Sequence, residues 1–159
     1  MNSIHVLGVG SPFGDDQLGW KAIDILSKDI SLQPHIPHIL QLKKLDRPGL
    51  SLLSDLQDAW AVILVDAIVN DGEIGKIYRL CKQEIILTKN LISTHNISIA
   101  ETLQLGNELN MLPEKIILYG MEIDNSHIND GFSEKIISSF NYFTNAIYQE
   151  IMDLLTYAE

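Results

Sequence analysis

The chain has 159 residues, 46% of them hydrophobic and 20% charged. That composition fits one globular core and excludes a disordered or collagen-like chain. Eleven Lys and Arg stand against 21 Asp and Glu, a formal net charge of -10, so the basic stripe of a nucleic-acid binder is missing and an anionic membrane would repel the surface. The sequence therefore predicts no nucleic acid and no membrane among its partners. Cys81 is the single cysteine and no CxxC pair exists, which excludes an internal disulfide and a cysteine-pair zinc or redox site. The opening Met1-Asn2-Ser3-Ile4-His5 has no basic n-region and no long apolar segment. The apolar stretch 59–65 ends at Asp66 and is too short to cross a bilayer. A cytoplasmic protein with one domain over 1–159 is expected.

In chain order, Ile4 to Val9 is a β-branched run punctuated by Gly8 and Gly10, which predicts a buried strand. Leu18, Ala22, Ile25 and Leu26 recur at helical spacing, with Asp15 and Asp16 at the helix start. Pro34 and Pro37 precede a second strand at 39–45, and a short helix follows over 48–56, carrying Leu50, Leu53 and Leu56. The segment 60–65 reads as a strand apolar on both faces. Asn70-Asp71-Gly72 and Gly75 supply turn chemistry before a strand at 76–80. Ser98 with Glu101 forms a capping box that opens a helix through Leu109, and 115–119 is a further strand. Ile136, Phe140, Phe143, Ile147, Ile151 and Leu154 mark one face of a last helix from 133 to 157. The βαβα order predicts an α/β three-layer sandwich, a mostly parallel twisted sheet of about five strands with helices on both faces.

Ligands of an open α/β sheet bind beyond the carboxyl ends of its strands. Asp15 and Asp16 follow the first strand, Asp66 closes the 60–65 strand, and His95 stands in Ser93-Thr94-His95-Asn96 just before a helix. Two carboxylates and an imidazole suit a borderline divalent metal with positions open to water or substrate. Plainer roles stand beside that one. The acid pair can cap the helix, Asp66 can cap a turn, and His95 can be a hydrogen-bonded loop histidine. A carboxylate behind a long apolar run nevertheless needs a partner.

The loop Gly8-Val9-Gly10-Ser11-Pro12-Phe13-Gly14 is GxGxxxG, not the GxGxxG of dinucleotide sites. Asp15 and Asp16 stand where a pyrophosphate needs N–H groups and no anions. Like charges about 4 Å apart repel by several kcal/mol at an effective dielectric near 20. No dinucleotide is expected, and a cation suits the loop. His35 and His38 read as a solvated loop and Cys81 as packing. Glu122, Asp124 and His127 read as a surface loop that could extend the site. No GxSxG or HExxH occurs.

The segment from Val6 through Gly14-Asp15-Asp16-Gln17-Leu18-Gly19 resembles the opening motif of the [NiFe]-hydrogenase maturation proteases, a GxGN stretch running into an acidic pair and then xxG. Ile63-Leu64-Val65-Asp66-Ala67-Ile68, with Gly72 and Gly75 downstream, resembles the second motif of that family, and Thr94-His95-Asn96 the third. The resemblance spans most of the chain. It implies a nickel-dependent endopeptidase that removes the C-terminal extension of a hydrogenase large-subunit precursor after nickel insertion. Asp16, Asp66 and His95 are then the metal-contacting and catalytic positions, and the nickel is the one the precursor presents. Ser11 stands where the family has Asn, Gln17 where a Gly often follows the acids, and Leu45-Asp46-Arg47-Pro48-Gly49 lacks a glycine cluster common there. Two other readings stay open: a non-catalytic chaperone that binds nickel or the large subunit, and a nucleotide-dependent enzyme using the glycine loop.

Overall fold

The structure is a computed structural model, and it describes residues 2–88, 92–93, 98–124 and 131–158. Strand β1 (Ile4–Gly10) is buried along its whole length, as an apolar run covered on both faces should be. It runs parallel to β2 (Leu40–Asp46) on one side and β3 (Ala61–Val69) on the other, with Ile4 opposite both Leu40 and Ala61. On its other side β3 is parallel to β6 (Lys115–Glu122), and β4 (Ile77–Cys81) adds the far edge antiparallel to β6. The order is β2-β1-β3-β6-β4. The two-residue β5 (Ile92–Ser93) pairs antiparallel with the end of β3.

Two apolar layers sandwich this sheet. Helices α1 (Leu18–Leu26) and α5 (Glu134–Ala158) pack on the face that carries Ile4, Val6, Ile63 and Val65. Helices α2 (Leu52–Leu56), α3 (Lys82–Leu87) and α4 (Ile99–Glu108) pack on the face that carries Leu7, Val9, Leu64 and Leu118. The mostly parallel three-layer α/β sandwich is therefore as the sequence predicts. Among the described residues no helix is long and apolar enough to cross a membrane.

The expected stripe of α5 is buried at each of its six positions. Ser98 and Glu101 form the expected box, the Glu101 N–H donating to Ser98 Oγ at 3.1 Å and the Ser98 N–H to Glu101 Oε2 at 3.3 Å. Three elements differ from expectation. In α1 it is Ile23 that is buried and Ile25 that is 46% exposed, because Gly19 turns the helix's smallest face to the sheet. The 48–56 helix is a 3-10 turn at Gly49–Ser51 followed by α2, which buries Leu52, Leu53 and Leu56 and leaves Leu50 exposed. Helix α3 escaped the sequence reading because its capping box has Cys81 where Ser or Thr is usual, with Glu84 Oε1 accepting the Cys81 N–H at 3.2 Å.

Edge strand β4 is fastened across the sheet to α5. Arg79 donates to Glu150 through Nε at 2.7 Å and Nη2 at 3.1 Å, and the Tyr119 hydroxyl donates to the same carboxylate at 2.7 Å. Burial by itself raises the Glu150 carboxyl, but the Arg79 and Tyr119 hydrogen bonds outweigh it and hold the group below 4.5. The Tyr119 phenol is pushed up to about 12, by burial first and then by the Glu150 carboxylate it faces.

Candidate active site

The carboxyl ends of β1 and β3 lie side by side, since Gly8 is opposite Val65 and Asp66 is the next residue of β3. After β1 the chain turns through Ser11–Phe13 into a 3-10 turn at Gly14–Gln17 that leads straight into α1. Gly14 opens that turn at φ 52, a left-handed value that favours glycine. Ser11 draws the turn back onto β1: its N–H donates to the Asp16 carbonyl at 3.2 Å, and its hydroxyl donates to Asp16 Oδ2.

The motif glycines set how closely α1 approaches the strand ends. A Cβ on Gly19 would stand 2.4 Å from the Val9 carbonyl oxygen and 2.6 Å from that of Val65. One on Gly8 would stand 2.4 Å from the Gly19 carbonyl oxygen. Helix and sheet thus meet backbone to backbone, and that contact delivers the Asp15-Asp16 turn to the rim beside Asp66. Gly8 and Gly19 serve helix–sheet packing here.

The acid pair divides its work. Asp15 is 6% exposed and does not cap its own helix. Its Oδ1 accepts the Ser133 N–H at 2.9 Å and its Oδ2 the Ser133 hydroxyl at 3.0 Å. Ser133 is the residue before α5, so Asp15 caps the last helix of the chain. Asp16 is half-buried, accepts from Ser11, and lies close enough to Arg47 to help hold that guanidinium charged, although Asp46 at 2.8 Å does most of this.

Asp66 does not end its strand. β3 runs on to Val69, and Asp66 lies opposite Gly120 of β6. It is 1% exposed, and its Oδ1 accepts the Ala67 N–H at 2.8 Å. A carboxylate has about four lone-pair sites on two oxygens, so such donors leave coordination chemistry possible for both acids. By strand alternation Asp66 shares its face with Leu64 and Ile68, the face on which α4 packs.

His95 lies outside the described residues, as does His127. The chain on either side of His95 is described. Ser93, two residues before it, pairs with Ile68, two residues beyond Asp66. Ser98, three residues after it, caps α4.

Glu122 is not part of a surface loop. It ends β6 at 2% exposure and accepts the Asn70 N–H at 2.6 Å and the Tyr78 hydroxyl at 2.9 Å, closing the turn after β3. Burial, and then that carboxylate, raise the Tyr78 phenol. The sequence signal was the apolar run 116–121 leading directly into Glu122, the same pattern that singled out Asp66. His38 is exposed, as expected of a solvated loop, and Cys81 is a half-buried free thiol.

A family model of hydrogenase maturation proteases (HycI) matches residues 48–150, more than half of the chain, a span that includes Asp66 and His95 and begins after Asp16. No curated protein sequence matches. Among solved structures, the hydrogenase maturating endopeptidase HybD from E. coli superposes with a TM-score of 0.79 at 22% identity, covering 95% of this chain and 93% of its own. The [NiFe] hydrogenase maturation protease HybD from Thermococcus kodakarensis gives 0.72 at 17% identity, covering 92% and 97%. A hydrogenase 2 maturation peptidase from a Thaumarchaeota archaeon gives 0.67 at 19%, covering 94% and 98%. At these identities the superpositions establish a shared fold.

Proposed function

Because the chain belongs to the hydrogenase maturation protease family and is therefore a peptidase, we propose that it removes the C-terminal extension of a [NiFe]-hydrogenase large-subunit precursor once nickel has been inserted. The observation that supports this reading is that Asp16 follows the carboxyl end of β1 and Asp66 lies near that of neighbouring β3. Asp16 is drawn onto the end of β1 by Ser11, and Asp66 sits on neighbouring β3 with its Oδ1 fixed by a backbone N–H. His95 follows in sequence Ser93, which pairs with Ile68, and precedes Ser98, which caps α4.

In this reading Asp16, Asp66 and His95 grip the nickel that the precursor presents, and precursor without nickel offers them nothing to hold. Oxygen and imidazole donors suit a borderline divalent ion of this kind. The ion supplies Lewis acidity toward the scissile carbonyl and a nearby water. The chain's own residues supply the rest. Ser11 orients one carboxylate, the Ala67 N–H orients the other, and a carboxylate beside the attacked carbonyl can take the proton that water loses. Asp15 stays with Ser133 and holds the loop in place.

The test is mass spectrometry of nickel-loaded and nickel-free precursor before and after mixing with the protein. Loss of a C-terminal peptide from the loaded form alone is expected, and Asp16→Asn, Asp66→Asn and His95→Ala should each abolish it while remaining folded. An intact precursor with the wild-type protein would point to a non-catalytic chaperone. Full processing by all three variants would remove these residues from the site.

A further inference from the structure

Beside the acid-bearing turn lies a cleft of about 470 Å³ between α1 and the start of α5. Gln17, the residue after Asp16, forms one end of it, and Phe132, next to the Ser133 that Asp15 holds, forms part of the other wall. Its apolar surface is unusual for an outward-facing position: Ile25 is 46% exposed and Ile137 60% exposed, with Phe140 buried behind them. Lys21 and Lys28 stand on its α1 side. Lys44 pairs with Asp24 there, whereas neither Lys21 nor Lys28 meets a carboxylate among the described residues. Asp24 also lines the cleft but is paired with Lys44, so among the described residues the two ammonium groups beside this apolar strip make a local reversal of sign on a chain with a net charge of -10.

We propose that this cleft seats an acidic, apolar-centred segment of the polypeptide substrate and so guides the scissile region toward Asp16. The inference rests on the reading of the chain as a processing peptidase. Charge selects the occupant. A basic segment is repelled by Lys21 and Lys28, and an acidic one is repelled by most of the remaining surface and attracted here. Spacing selects its pattern. Lys21 lies in α1 and Lys28 in the turn that continues its end, and seven residues at about 1.5 Å of rise set them about 10 Å apart. Three residues of extended chain cover about the same distance at about 3.3 Å each. The fitting segment is therefore acidic, apolar, apolar, acidic, its apolar pair lying over Ile25 and Ile137.

The experiment has two readouts. In the first, the blocked peptide Gly-Glu-Leu-Leu-Glu-Gly is titrated into the isotope-labelled protein, with its Lys-for-Glu counterpart as control. Shifts at the Ile25 and Ile137 methyl groups from the acidic peptide alone, lost in Lys21→Glu/Lys28→Glu, are expected. In the second, the double variant should raise KM for precursor processing roughly tenfold, with kcat within about twofold of wild type. Both side chains are exposed, and circular dichroism checks that the variant is folded. Equal shifts from both peptides, or an unchanged KM in a variant that still processes precursor, would overturn the docking site and leave the peptidase reading intact. Failure of the wild-type protein to process any precursor would strike the peptidase reading instead. Concentration-dependent dimerisation that the double variant abolishes would assign the cleft to a second copy of the chain and overturn the proposal.

Discussion

Replacing Gly19 by alanine tests whether α1 is held on the sheet by direct backbone contact. The new methyl would lie 2.4 Å from the Val9 carbonyl oxygen, 2.6 Å from that of Val65 and 2.9 Å from the Val9 nitrogen. These are backbone atoms of two central strands, so no side chain can swing away to make room. Ordinary separation is about 3.5 Å or more, so the helix must retreat by about 1 Å. Overpacking of a rigid site costs about 1–3 kcal/mol, and strand backbone belongs at the upper end. Alanine recovers about 1 kcal/mol of helix propensity. The net expectation is a loss of about 2 kcal/mol, or a Tm about 4–8 °C lower for a chain of this length. Equilibrium urea denaturation followed by far-ultraviolet circular dichroism reads this directly. Gly131→Ala is the control, because a Cβ there meets nothing within 4 Å; its stability should stay within about 0.5 kcal/mol of wild type. A Gly19→Ala protein as stable as wild type, with an unchanged denaturant slope, would show that the helix is not seated by this contact. Asp16 lies three residues upstream, so precursor processing should fall with the stability.

The two acids should separate by assay. Asp15→Ala strands the Ser133 N–H and hydroxyl at the start of α5 and should cost about 1–2 kcal/mol in calorimetry, whereas Asp16→Asn should melt close to wild type and lose processing. The Arg79, Glu150 and Tyr119 cluster predicts limits in pH. Glu150 is depressed, so its contribution to stability is present above about pH 4.5 and is lost as pH falls further. Tyr119 is raised to about 12, so its contribution is present below pH 10 and is lost between there and pH 12. Urea midpoints from pH 9 to 12 should fall more steeply for wild type than for Tyr119→Phe, and parallel curves would contradict the assignment.

What the sequence made legible was local periodicity. The β1 and β3 runs, the Ser98–Glu101 box and the α5 stripe are patterns whose partners lie within a few turns or a few residues. Features that depend on remote partners were hidden. Asp66 read as a strand end because a carboxylate normally stops a buried strand, yet β5 and β6 flank β3 beyond it. Asp15 read as a cap for the nearest helix, but its partner is 118 residues away. Ile25 fits the α1 stripe by spacing as well as Ile23 does; only the glycine contact with the sheet decides the rotation. Glu122 read as surface because nothing local announces Tyr78 and Asn70 as its donors. Of the candidate site, Asp16 and Asp66 fall among the described residues and His95 outside them.

The bond from Asp15 to Ser133 also orders events during synthesis. A ribosome translating this chain has made the acid-bearing turn long before it makes the serine that fastens it at the start of α5. The turn is therefore locked only once Ser133, 118 residues further on, has emerged. A nascent or prematurely terminated polypeptide that lacks Ser133 would carry both acids without the strut that steadies them.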